Sequence, residues 1–268
     1  SLRRRQRQMC IRDRDYLEAL LSVWTDNFTT ESGLPLQKDF YNEYIKNSDT
    51  RVAVIISDGL RYEIGEEIAE KLKKEASAKE INLKAMLTGL PSITQVGMAN
   101  LLPNNERVID PLRKLYTISG INTINTESRE KILKLSCEES SAIIFKDFKN
   151  MSRNEQDEFV KGKRVIYIYH DNIDGIGDKS KTEDETFEAC DMAIKDIVGI
   201  SKLLSSLGIV NIYITSDHGF LYERKVVEEY NKIELDKSEV EPVVIGKRYA
   251  LYAVSYTHLR AHETRSNL

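Results

Sequence analysis

The chain is 268 residues long, 41% hydrophobic and 8% aromatic, the balance of an ordinary globular protein with room for one large domain or two small ones. It has no run of 18 apolar residues and no charged-then-apolar leader, so neither a membrane span nor a signal peptide is expected. The formal net charge is −4, and the three cysteines (Cys10, Cys137 and Cys190) are odd in number and far apart, which excludes a disulfide or zinc-finger framework and fits a reducing cytoplasm.

Residues 1–14 hold six arginines and one acid, the pattern of a basic nucleic-acid-binding arm. Their wording, and that of residues 255–268, instead resembles translated sequencing-adapter read-through at the ends of metagenomic gene fragments. Both ends are therefore set aside as non-native, as a tag would be. That removes His258 and His262 and leaves His170 and His218. The body between them is more acidic than the whole chain, which does not suit a general DNA-binding surface. On this reading the natural termini lie outside the sequence, and the domain at 51–254 is truncated at its C-terminal end.

Residues 15–50 form a helical lead-in. Leu17, Leu20, Leu21, Trp24 and Phe28 recur on one helical face, Ser32–Leu36 breaks it, and Phe40, Tyr41, Tyr44 and Ile45 mark a second helix. The main domain opens at Arg51 with RVAVIIS, a β-branched run ending in the turn Asp58-Gly59, which predicts a buried parallel strand. Ile64, Ile68 and Leu72 then predict an amphipathic helix. A second strand is predicted at 81–89. The segment 91–103 reads as a loop running into a helix that Pro103 stops. After a mixed region, a helix is predicted at about 126–136 and strands at 141–145 and 163–171. A long helix through Cys190, Ile194, Ile197, Leu204 and Leu207 leads to a last strand at 211–219. Strands alternating with helices predict an α/β fold with a doubly wound, mostly parallel sheet.

Three of these strands run straight into carboxylates: Asp58, then Asp171, Asp174 and Asp178, then Asp217 followed by His218. Ligands of open parallel sheets sit beyond the carboxyl ends of the strands, so the fold gathers these groups at one edge. Crowded carboxylates repel unless protons or a cation neutralise them. Carboxylates with an imidazole suit Zn²⁺ or Mn²⁺, and oxygen-rich sets suit Mg²⁺ or Mn²⁺. Each piece also has a plainer reading. Asp58 fits a turn, Asp174 and Asp178 fit a solvated acidic loop, and His170 fits a sheet-end histidine. Thr94 stands where a loop enters a helix. That position suits an N-cap, or phosphate chemistry at the positive end of the helix. Arg61 is placed either to contact a phosphate oxygen or to pair with Glu63, Glu66 or Glu67.

Four motifs in order, VIISDGLRYE (54–63), LTGLPSITQVGMANLLP (87–103), YHDNIDGIGD (169–178) and TSDHGFLY (215–222), resemble the PglZ family of the alkaline phosphatase superfamily, which belongs to BREX phage-defence systems. The resemblance covers roughly residues 15–253. It implies an alkaline-phosphatase-like core and a metal-dependent phosphatase or phosphodiesterase. Asp58, Asp217 and His218 would bind one metal, and Thr94 would be the nucleophile and a metal bridge. Asp174 and Asp178 fall nearest the second metal's ligands. They depart from the Asp-x-x-Gly-His pattern, and no native histidine after His218 is present to serve as that site's late ligand. The implied partners are a phosphate ester (a nucleotide or nucleic acid among the options) and other defence-system proteins, without a membrane.

The rival reading is a catalytically weak or inactive module of the same fold serving as a scaffold. A haloacid-dehalogenase-type site is disfavoured because Asp58-Gly59-Leu60 lacks the second aspartate. A dinucleotide site is disfavoured because no Gly-x-Gly-x-x-Gly follows the first strand.

Overall fold

The structure, a computed structural model, describes residues 33–75, 80–103, 107–110, 115–171, 183–219, 244–245 and 249–251, with single positions at 19, 23 and 242. The arginine-rich start, most of the first lead-in helix, the acidic positions Asp174 and Asp178, and residues 255–268 lie outside the described residues. Packing separates Ser1–Leu34 from Pro35–Asn267, and all that follows concerns the second of these units.

The central sheet has four parallel strands: β1 (Val52–Ser57), β5 (Ser140–Ile144), β6 (Val165–His170) and β7 (Asn211–Ser216), in the order β5-β6-β1-β7. Every residue of β1 and β6 is buried, as expected of strands covered on both faces. The pleat divides their side chains between two cores. Ala53, Ile55, Ile166 and Ile168 face one core. It is closed by helices α1 (Tyr62–Glu75), α4 (Phe145–Asn150), α5 (Arg153–Val160) and α6 (Glu183–Ser206). Val52, Val54, Ile56, Val165, Tyr167 and Tyr169 face the other. There they meet α2 (Thr94–Asn100), α3 (Thr126–Ser136) and the small antiparallel sheet of β2 (Arg107–Asp110), β3 (Leu115–Ile118) and β4 (Ile121–Asn122). The fold is thus the expected α/β arrangement, a parallel sheet with helices on both faces. A two-stranded ribbon, β8 (Val244–Ile245) with β9 (Ala250–Leu251), stands apart from the sheets.

The second lead-in helix is tighter and then wider than an α-helix: a 3-10 turn at Gln37–Asp39 runs into a π-helix at Tyr41–Ile45. Phe40, Tyr41 and Ile45 are buried in the second core, and Phe40 packs edge-on and Tyr44 tilted against Tyr213 of β7. The strand expected at 81–89 does not form. Residues 82–85 are exposed, and the segment's backbone bonds to the lead-in instead, with Leu87 N donating to Pro35 O at 3.0 Å and Leu87 O accepting from Gln37 N at 2.9 Å. The segment pairs only at Leu87, in an isolated bridge to Leu36. Two short helices that periodicity did not reveal, α4 and α5, fill the step from β5 to β6. Ser152 and Glu155 close a reciprocal capping box at the start of α5.

Candidate active site and metal centre

The parallel register places the site. Ser57 pairs with Ser216 across β1 and β7, so the next residues, Asp58 and Asp217, leave the sheet side by side. The chain order reverses around β1, where open α/β sheets leave a crevice. Gly59 takes a φ of +69°, open to glycine at little cost, and this turns its N–H onto Asp217 Oδ1 at 3.1 Å. Ser216 latches the same turn, accepting from Leu60 N at 3.0 Å and donating to Ser57 O at 3.0 Å.

Asp217 is wholly buried. Its Oδ1 accepts from Gly59 N and from His218 N, the latter at 2.8 Å. Its Oδ2 is buried without a hydrogen-bond partner and lies 3.5 Å from His218 Nε2. Asp58 Oδ1 is 3.6 Å from the same nitrogen. His218 Nδ1 sits 2.9 Å from the Gly219 carbonyl. A proton on Nδ1 donates to that carbonyl and leaves the Nε2 lone pair facing the two carboxylates. Ligand atoms of Asp58, Asp217 and His218 all fall within 4.8 Å of one another, the one such group among the described residues. Two carboxylates and an imidazole are a donor set for Zn²⁺ or Mn²⁺, and an unsatisfied buried carboxylate oxygen is costly until a cation or donor meets it. The residues present therefore fit a divalent cation.

Thr94 comes to this cluster on α2, which packs in the second core. Ile93, extended and without a side-chain cap bond, holds the N-cap position of α2, so Thr94 is the first helical residue. Its hydroxyl is free of capping duty and lies 3.1 Å from His218 Nε2. The helix approaches so closely that only glycine fits at position 97, against the Asp217 backbone.

The chain matches the model of the BREX system PglZ alkaline phosphatase-like domain over residues 37–264. It belongs to the PglZ family. Two relatives agree. It is 36% identical over 232 residues to the alkaline phosphatase-like protein PglZ of Bacillus cereus (strain H3081.97), covering 82% of this chain and 27% of that protein. It is 33% identical over 261 residues to the alkaline phosphatase-like protein BrxZ of Escherichia coli O9:H4 (strain HS), covering 88% of this chain and 30% of that one. The chain thus spans less than a third of the length of these relatives. Among solved structures it is similar to an inactive variant of murine ectonucleotide pyrophosphatase/phosphodiesterase 5 in complex with AMP. That likeness has a TM-score of 0.46 and 12% identity, over 75% of this chain and 65% of the other.

Other expected residues of this PglZ-family chain fall elsewhere. Arg61 lies just ahead of α1, partly exposed, with its guanidinium on Glu63, one of the partners its position allowed. His170 faces the other core: Nδ1 meets Ser57 Oγ at 3.0 Å, Nε2 lies 3.9 Å from Asp196, and Phe145 packs edge-on at 4.9 Å. Burial lowers its pKa, and Asp196 works against that shift. His170 is thus a sheet-end histidine, outside the Asp58–Asp217–His218 group. Two residues of the site were not legible in the sequence. The Gln37 side chain and the Thr88 hydroxyl both bond the Asp217 carbonyl, at 2.6 Å and 3.1 Å. Neither sits in a pattern that announces it.

Proposed function

We propose that this chain carries the core of a divalent-metal-dependent phosphohydrolase, a phosphatase or phosphodiesterase, acting in a BREX-type phage-defence system with Thr94 as nucleophile. Membership of an alkaline phosphatase-like family supports the phosphoesterase class, and the description of that family as a BREX-system domain supports the BREX setting. One observation carries the finer reading: Thr94 Oγ1, Asp58 Oδ1 and Asp217 Oδ2 all lie within 3.6 Å of His218 Nε2.

Asp58, Asp217 and His218 would hold the cation, Zn²⁺ or Mn²⁺ by donor type, with Mg²⁺ the harder-ligand option. When bound, it supplies Lewis acidity, lowering the pKa of a nearby hydroxyl and offsetting charge on the phosphoryl oxygens. Thr94 Oγ1 gives up its proton to water as it forms the new O–P bond, the ester oxygen leaves in line on the far side and takes up a proton, and water then cleaves the phospho-threonine and restores the Thr94 hydroxyl. Arg61 would turn from Glu63 to a phosphoryl oxygen when substrate arrives. Asp174 and Asp178 would contribute to a second cation site. The substrate is a phosphate ester, with nucleotides and nucleic acids in that class. The remaining partners are other proteins of the defence system in the cytoplasm. No helix among the described residues is long and apolar enough to cross a membrane.

The test is hydrolysis of bis(4-nitrophenyl) phosphate and 4-nitrophenyl phosphate with Mn²⁺, Zn²⁺, Mg²⁺ or EDTA. Metal-dependent turnover is expected to fall roughly 1000-fold or more in Thr94→Ala and to vanish in Asp217→Ala. Turnover that survives Thr94→Ala sinks the nucleophile assignment. A folded protein that hydrolyses neither ester with any metal supports the scaffold instead.

A further inference from the structure

We propose that Gln37 is the positioning residue that fixes the spacing between the helix carrying Thr94 and the strand end carrying Asp217 and His218. The inference rests on reading that cluster as the reactive centre.

Gln37 is a buried amide, 2% exposed, on the short 3-10 turn of the lead-in. Its Nε2 donates to the Ser216 carbonyl at 3.0 Å and to the Asp217 carbonyl at 2.6 Å. Its Oε1 accepts from Gly89 N at 3.2 Å and from Asn100 Nδ2 at 3.1 Å, with the Thr88 hydroxyl at 3.4 Å. One planar group therefore joins the end of β7, the 88–89 loop and the last residue of α2. Its own backbone is pinned to the same loop, since Gln37 N donates to Leu87 O at 2.9 Å.

The two ends of α2 are used differently. Asn100, at the far end, is held by Gln37. Gly97, in the middle, rests against the Asp217 backbone. Thr94, at the near end, reaches His218. The amide thus ties the distal end of the helix to the strand end whose His218 meets Thr94. A helix is stiff over seven residues, so a shift at Asn100 carries to Thr94. Only an amide serves here: donors must face the two carbonyls while an acceptor faces Asn100 and Gly89. A carboxylate of the same shape would set oxygen against the Ser216 and Asp217 carbonyls.

The experiment uses the full chain and Mn²⁺ alone as probe, titrated by calorimetry, beside circular-dichroism melts. Gln37→Glu is expected to weaken Mn²⁺ binding about tenfold to 100-fold, the usual loss when a ligand's supporting contact goes. It should lower kcat for bis(4-nitrophenyl) phosphate more than it raises KM. Thr88→Val, which deletes one hydroxyl on the same carbonyl, should weaken Mn²⁺ about threefold to fivefold. Phe148→Leu, in the opposite core, should lower the melting temperature and leave Mn²⁺ affinity alone. A folded Gln37→Glu protein with wild-type affinity overturns the proposal. So does an equal affinity loss in Phe148→Leu, which would mark the effect as instability. If Gln37→Glu does not fold, unchanged affinity in Thr88→Val overturns it. A wild-type chain that binds no Mn²⁺ overturns it together with the metal centre. A wild-type chain that binds Mn²⁺ without hydrolysing either ester sinks only the hydrolase, and the affinity comparison still judges Gln37.

Discussion

Gly97 stands against the backbone of Asp217: a Cβ on it would meet the Asp217 carbonyl oxygen at 2.1 Å and the carbonyl carbon at 2.5 Å. Both atoms belong to the strand end that carries two of the three clustered residues, so nothing flexible can yield. In an ordinary helix interior Gly→Ala gains about 0.5–1 kcal/mol. Here the sign is expected to reverse, with Gly97→Ala costing about 1–3 kcal/mol in a denaturant melt and weakening Mn²⁺ about tenfold. A variant as stable as the wild type with unchanged affinity would mean the helix simply slides away.

Asp217 presents two different oxygens. Oδ1 is satisfied by backbone N–H groups and Oδ2 is buried without a donor. Asp217→Asn keeps the first oxygen and the shape but removes a charge beside Asp58. In EDTA its melting temperature is therefore expected to match or exceed that of the wild type. With Mn²⁺ at 100 times the dissociation constant the wild type should gain about 2.7 kcal/mol, and the variant should gain almost nothing. Equal Mn²⁺ stabilisation of both proteins would remove Asp217 from the ligand set.

Arg61 separates binding from folding. Its pair with Glu63 is partly exposed on both sides, and such pairs contribute about 0–1 kcal/mol. Arg61→Ala should leave the melting temperature and Mn²⁺ affinity nearly unchanged while raising KM about tenfold or more, the loss of a charge-assisted contact. If KM stays put, Arg61 is only the surface ion pair.

What the sequence revealed, and what it hid, follows from the range of the interactions. The run Val52–Ser57 is buried at every position, so its strand and the Asp58 at its end were legible from composition alone. Asp217 and His218 were legible from the β-branched and aromatic run before them, although Asn211–Ser216 is only half-buried, and a parallel sheet then sufficed to bring them to Asp58. Thr94 was ambiguous because a helix start looks alike whether or not its hydroxyl caps. That Ile93 takes the N-cap position is decided by the backbone, not by residue type. The strand expected at 81–89 failed because local propensity cannot see that Leu87 pairs with the lead-in at Pro35 and Gln37. Helix α5 was signalled by Ser152 and Glu155 three apart, a cue that a search for hydrophobic periods passes over. Gln37 was hidden most completely: its Asp217 partner is 180 positions away, and a glutamine in a short helical turn gives no sign of it.

The buried histidine on the other side of the sheet sets a pH limit on stability. His170 is surrounded by Ser57, Phe145, Asp196 and, through Asp196, Lys149. Burial dominates and lowers its pKa below the ordinary imidazole value near 6.5, while Asp196 and Asp171 oppose the shift and Lys149 adds to it. The unfolded chain thus takes up this proton at a higher pH than the folded one. The contribution is fully present above about pH 6.5 and is lost as pH falls through the folded pKa. Denaturant melts in EDTA between pH 7.5 and pH 5 are expected to show stability falling with acid, and His170→Gln should flatten that slope by removing the proton. An unchanged slope would assign the acid sensitivity to groups other than His170.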